Sequence, residues 1–209
     1  MDTFLKLNQD KLKSVFTRLS LSCLGFVFVF LALAYVTGNF PRKQLLISIL
    51  LVAGLGFPIF FILVGYFGWT LSHRRRQKVF ATSPFKEIEN IGFYTSFIDD
   101  TKWAFKEEVK EGKVNGFSLR MDIAKERRHV IEFDTSTEWK KLDKAEYRRL
   151  TEKFKPYNIE FKPGGLTKFY DTEHSSLITV SDLNDDLKLF TTMLLQEGFD
   201  EPKVRQGWV

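Results

Sequence analysis

The distribution of apolar and polar positions divides the chain near residue 72. No charged residue occurs from Leu19 to Pro41, and none from Gln44 to Ser72. A bilayer core of roughly 30 Å needs about 20 apolar residues in a helix. Each run therefore predicts a membrane-crossing helix, at about 19–37 and about 45–70. Between them, Thr37-Gly38-Asn39-Phe40-Pro41 offers Gly for a left-handed cap and Pro where a helix cannot continue. So short a link predicts a two-helix hairpin over 19–72, with Pro58 kinking its second helix. In and just after the leader, residues 1–18, the apolar Leu5, Leu12, Val15, Phe16 and Leu19 share a helical face, with Lys6, Lys11 and Lys13 elsewhere. That pattern fits either an interfacial amphipathic helix or an extension of the first span.

From residue 79 to 209 the pattern is that of a water-soluble domain. Ser83-Pro84 predicts a helix start, with Ser at the N-cap, and Gly92 its end. Strand alternation follows in Phe93–Ile98, Trp103–Val109, Phe117–Ile123 and His129–Asp134, with Glu107 the exception on an apolar face. Gly112 and Asn115-Gly116 supply the turn between the second and third of these. Asp143 and Glu146 resemble a capping box before a helix bearing Tyr147, Leu150 and Phe154, closed by Pro156. Strands are expected at Ile159–Phe161, Leu166–Tyr170 and Leu177–Val180. Asp182 is expected to cap a last helix, where Leu183, Leu187, Phe190 and Leu194 recur at helical spacing before Gly198. The fold class is thus a membrane α-helical hairpin plus an α+β soluble domain with a mainly antiparallel sheet. In layout, two apolar helices followed by about seven strands and a closing helix, the chain resembles the bacterial PH-like domains that follow a two-helix membrane anchor. The helix from Lys144 to Lys155 departs from that plan.

Charge changes the picture once it is located. The whole chain is basic, with net charge +5, yet residues 79–209 hold 21 Lys and Arg against 24 Asp and Glu, a net of −3. The basic surplus lies in the leader, at Arg42-Lys43 and in Arg74-Arg75-Arg76-Gln77-Lys78. A nucleic-acid-binding domain would carry it in the soluble part, so no nucleic-acid partner is expected. Lys and Arg collect on cytoplasmic flanks. The expected topology is therefore multi-pass in the cell (inner) membrane, with both termini cytoplasmic and 37–44 on the far side. Arg74, Arg75, Arg76 and Lys78 are the candidate membrane-surface site, each worth about 1 kcal/mol toward anionic lipid.

Candidate chemistry is sparse. The single cysteine, Cys23, falls inside an apolar run, which excludes an intramolecular disulfide and suits a reducing compartment. The run continues past it to Val36, unlike a lipid-attachment site, and the long charged leader argues against signal cleavage after Ala32-Leu33-Ala34. The spans carry no mid-membrane charge of the kind an ion pathway uses. Asp171-Thr172-Glu173-His174-Ser175 is the one cluster joining carboxylates to an imidazole, and an enzyme or hard-metal site would use Asp171, Glu173 and His174. Polar turn chemistry explains it equally, no second His or Cys stands at zinc spacing, and Lys162-Pro163-Gly164-Gly165 lacks phosphate-loop spacing. No cofactor or metal is expected. Arg127-Arg128 and Arg148-Arg149 read as solvated charges rather than an acidic partner's site. The favoured expectation is a non-catalytic, membrane-anchored cytoplasmic interaction module that binds a partner protein or the membrane surface. The alternatives are an oligomerising membrane effector or signalling protein, and an enzyme using the Asp171 loop.

Overall fold

The computed structural model describes residues 2–39, 41–99, 104–124, 127, 129–137, 142–162, 165–173 and 179–200. It divides into two compact units, Met1–Ser72 with Asp99–Lys106, and His73–Ile98 with Glu107–Val209.

In the first unit, α1 (Asp2–Val36) consists of two helical stretches joined by a kink at Asn8, and the leader after Asn8 is continuous with the first span. At the kink Asn8 has φ −114° and ψ 16°, and both ends of its side-chain amide are hydrogen-bonded. The amide donates to Phe4 O at 3.2 Å and its oxygen accepts the Lys106 N–H at 2.8 Å. Beside it Phe4 is 2% exposed, its ring 4.8–5.0 Å from those of Tyr66, Trp69 and Phe105. Trp69 Nε1 donates to Lys106 O at 2.8 Å. Gly65 lets the Phe105 ring approach the helix closely, since a Cβ there would lie 2.6 Å from Phe105 Cε2 and displace the ring.

The return path is α2 (Lys43–Leu51), a π-helical turn (Val52–Gly56) and α3 (Phe57–Phe80). The proline explains the π turn. Pro58 has no N–H for the carbonyl four residues back, and its ring crowds that carbonyl. The ladder widens by one residue just before it, a recognised response to such a clash. The freed carbonyl is that of Gly54, and Ser20 Oγ on α1 donates to it at 2.9 Å. An apolar environment demands such a partner. The two helical segments are long and apolar enough to cross a membrane, and 0% and 11% of their apolar windows are buried.

These contacts fix the register of the antiparallel pair. Ser20 lies level with Gly54, and Phe4 with Trp69. The uncharged part of α1, Leu19–Val36, therefore runs beside Lys43–Gly56. Residues Phe57–Ser72, though apolar, run beside the charged leader.

The second unit holds one six-stranded antiparallel sheet of β1 (Tyr94–Ile98), β2 (Glu107–Val114), β3 (Phe117–Ile123), β4 (Val130–Ser136), β5 (Ile159–Lys162) and β6 (Gly165–Asp171), in the order β1-β2-β3-β4-β6-β5. One face is apolar. Phe117, Leu119, Met121, Ile131, Phe133 and Leu166 pack there against α4 (Lys144–Phe154), α5 (Val180–Gln196), a 3-10 helix (Phe85–Ile91) and the last turn of α3, through Val79 and Phe80. The Asn115-Gly116 turn joins β2 to β3 with φ of 49° and 89°, the left-handed pair a two-residue hairpin needs. Asn115 Nδ2 also donates to Lys188 O at 3.2 Å, tying the turn to α5.

Several expectations are corrected. β2 starts at Glu107 rather than near Trp103, which lies outside the described residues; Phe105 belongs to the first unit. Gly112 is no turn residue: it sits within β2, where a Cβ would fall 2.6 Å from the Phe93 ring. Pro84, not Ser83, is the N-cap of the 3-10 helix. Of the expected strand Leu177–Val180, Leu177 and Ile178 lie outside the described residues, while Thr179 is an N-cap and Val180 begins α5. Thr179 and Asp182 form a reciprocal capping box, so Asp182 is its third helical residue. Asp143 does cap α4, accepting the Glu146 N–H at 2.8 Å.

Candidate functional site

Side chains alternate across a strand, so the residues between the core positions form the sheet's second face. Register places Arg120 opposite Asp134, Asp122 opposite Glu132, Asp134 opposite Thr167 and Glu132 opposite Phe169. This face is charged, yet its carboxylates are largely shielded: Asp122 is 5% exposed, Glu132 8% and Asp134 8%.

The four basic residues after the second span divide in two. Arg76 belongs to the inward stripe of α3 that includes Trp69, Val79 and Phe80, and is 6% exposed. Its guanidinium donates to Asp122 Oδ1 from Nε at 3.2 Å, lies 2.9 Å from the same oxygen through a terminal nitrogen, and donates to Glu107 Oε2 at 2.6 Å. Arg75 is half-buried, with a terminal nitrogen 3.4 Å from the carbonyls of Ala124 and Arg127. Only Arg74 and Lys78 are exposed. Arg76 is thus paired with carboxylates of its own unit.

Asp122 is the perturbed member. Burial pushes its carboxyl up from 3.8 to about 6; the Arg76 guanidinium, the Ile123 N–H and Arg120 pull it down, and Glu132 pushes it up. Desolvation outweighs one well-placed cation here. The Ile123 N–H reaches Asp122 Oδ1 at 2.6 Å. Further along the face, Arg120 pairs with Asp134 at 3.0 Å, Thr167 Oγ1 donates to Asp134, and Lys162 pairs with Glu132 at 2.7 Å. The Lys162 ammonium also sits 5.1 Å from the Phe169 ring centroid and the Arg127 guanidinium 5.6 Å from it.

In the Asp171 cluster, the described residues Thr172 and Glu173 form a turn after β6. The Glu173 N–H donates to Asp171 Oδ1 at 2.9 Å, and Glu173 is 3.1 Å from His129 Nδ1, both side chains more than half exposed. His174 lies outside the described residues. Arg149 pairs with Glu197 at 2.7 Å and Arg148 with Glu152 at 3.3 Å, while Arg128 is outside the described residues. What the arrangement does chemically is electrostatic: it balances buried carboxylates with guanidinium groups and leaves two cations at the helix surface.

No protein-family model matches the chain, and neither a curated protein nor a solved structure is similar to it.

The Arg76–Asp122–Glu107 triad escapes a reading of the juxtamembrane arginines as one block. A signal for it exists in the sequence. Trp69, Arg76 and Phe80 recur at helical spacing, and Glu107 interrupts an apolar alternation.

Proposed function

We propose that the chain is a membrane-anchored, non-catalytic interaction module of the cell (inner) membrane. Both termini are cytoplasmic, and the α+β domain works at the anionic face of the bilayer, with Arg74 and Lys78 meeting lipid headgroups. The observation that carries this reading is α3. A helix uncharged from its start to Ser72 runs without interruption into Arg74, Arg75, Arg76 and Lys78 and ends in the core of the second unit through Val79 and Phe80. Two exposed cations contribute about 1 kcal/mol each near an anionic surface, enough to favour orientation without fixing lipid identity. The layout that resembles PH-like domains, an anchor followed by a sheet and a closing helix, fits the same reading.

The test is topological. A reporter fused after Val209 should be cytoplasmic and one inserted at Asn39 external, with the chain retained in carbonate-washed membranes. An external C-terminal reporter would overturn the orientation, and release by carbonate would overturn the anchor.

A further inference from the structure

We propose that Arg75, with Arg74 and Lys78 beside it, forms a binding site for the phosphate of an anionic lipid headgroup. The inference deepens the membrane-surface reading above and rests on it. Helical rotation sorts the basic segment. At about 100° per residue, Arg74, Lys78 and Arg75 fall within one sector of roughly 100°, and Arg76 lies about 100° beyond it. The contacts follow that division. Arg76 is buried against Asp122 and Glu107, whereas Arg74 and Lys78 are exposed and Arg75 is half-buried. The three cations of the sector are neighbours at i,i+3 and i,i+4, spacings at which like charges repel. No acidic residue occurs between Asp10 and Glu87, so α3 supplies no counter-charge of its own. Depth along the helix fits as well. Arg75 lies three residues past Ser72, where the uncharged run closes, or about 4.5 Å of helix rise. That places it within a headgroup layer roughly 5–8 Å thick on each side of the hydrocarbon core. Lys78, about 9 Å past Ser72, reaches back toward the same layer along its aliphatic stem.

Arg75 differs from a solvated arginine in how it is held. One terminal nitrogen is 3.4 Å from the carbonyl oxygens of both Ala124 and Arg127, at the long end for hydrogen bonds. Its Nε is shielded from solvent and has no hydrogen-bond partner among the described residues. The two carbonyls belong to the connection between β3 and β4, so the guanidinium is pressed against the sheet while its charge goes unanswered. Among the described residues no carboxylate pairs with it. A partly desolvated cation without an anion is costly. Phosphate oxygens supply the short, charge-assisted, two-pronged bonds that a guanidinium fork accepts best and that backbone carbonyls do not. Arg127 itself stands outside the site: its guanidinium turns to Glu160 at 3.9 Å and to the Phe169 ring at 5.6 Å.

The experiment titrates the full chain, in a neutral detergent, with dihexanoyl phosphatidylglycerol, dihexanoyl phosphatidylcholine or inorganic phosphate, and reads binding by calorimetry. The anionic lipid should bind at least about tenfold more tightly than the zwitterionic one, whose choline offsets the phosphate charge. Arg75→Gln should weaken it about tenfold by removing the charged fork. Arg74→Gln and Lys78→Gln should each weaken it about fivefold. Arg148→Gln, an exposed cation on α4 paired with Glu152, should leave it unchanged. Equal affinity for the two lipids, or an Arg75→Gln chain that binds as the parent does, would overturn the site. If Arg75→Gln does not fold, the exposed pair Arg74→Gln with Lys78→Gln decides, and unchanged binding there overturns it. Inorganic phosphate that displaces the lipid completely at equal concentration would overturn the lipid assignment in favour of free phosphate. The titration in detergent is independent of topology. An external C-terminal reporter or release by carbonate therefore strikes the anchored cytoplasmic reading, and a failed titration strikes the site alone.

Discussion

Removing the Arg76 guanidinium takes away the cation faced by the buried Asp122 carboxylate and by the partly exposed Glu107. Breaking a buried pair from one side costs about 3–5 kcal/mol, so Arg76→Ala should lower the stability of the detergent-solubilised chain by that amount at pH 7. Arg74→Ala and Lys78→Ala, on exposed side chains, should stay within about 0.5 kcal/mol. Chemical denaturation followed by tryptophan fluorescence distinguishes the three. Asp122 adds a pH dependence whose sign is set by burial. Its folded pKa, about 6, lies above the ordinary 3.8. The group's contribution is therefore fully present below about pH 4 and is lost as pH rises through 6, by about 3 kcal/mol. Asp122→Asn should flatten the stability profile across that window, and the Arg76→Ala penalty should shrink below pH 6, where a protonated Asp122 no longer needs the guanidinium. An unchanged profile in Asp122→Asn would show that the carboxyl titrates normally. At this scale the sequence was least informative: four adjacent cations look alike until a helix turns one inward, and the carboxylates that receive it come from β2 and β3.

Elements were legible where one face meets the core. Period-2 alternation placed β3 and β4 and paired Leu119 and Phe133 with the interior, where they are 1% and 0% exposed; helical spacing likewise placed α5. Truncation tests that assignment. Leu119→Ala should cost about 2–5 kcal/mol and Phe133→Ala about 3–5 kcal/mol through lost burial and a cavity, read as a fall in denaturation midpoint at unchanged slope. A silent Leu119→Ala would mean that β3 is paired one residue out of register. The misread elements share a cause, which is that their determinants are not local. Gly112 looked like a turn because its space is filled by Phe93, nineteen residues earlier by number. Leu177–Val180 looked like a strand because its apolar residues outvoted the Thr179–Asp182 capping box. Pro58 did announce a disturbance in its helix, but the π turn and the Ser20 hydroxyl that accompany it depend on a second helix.

For the whole molecule, the hairpin and the α+β class follow from hydrophobic pattern alone, whereas the junction between them does not. Charge and hydropathy put the start of the soluble domain at residue 79, just after the basic segment. The second compact unit takes in residues from His73, and the end of α3 supplies Arg76 to its charged sheet face and Val79 and Phe80 to its core. A fragment of residues 73–209 should therefore fold cooperatively without the hairpin, with its buried carboxylates balanced. A fragment of residues 79–209 keeps Val79 and Phe80 but loses Arg76 and the helix that holds them. It should be destabilised by at least the about 3–5 kcal/mol of a broken buried pair. Whole domains are stable by only about 5–15 kcal/mol, so this loss is large enough to populate unfolded chain. The shorter fragment should show a lower denaturation midpoint and a greater tendency to aggregate, and mild acid should partly restore it by neutralising Asp122. Separating the two causes requires Arg76→Ala in the longer fragment. If that variant matches the shorter fragment, the missing charge dominates; if it is much more stable, the lost helical turns do. Equal stability of all three fragments would show that the sheet and its two packed helices hold without α3.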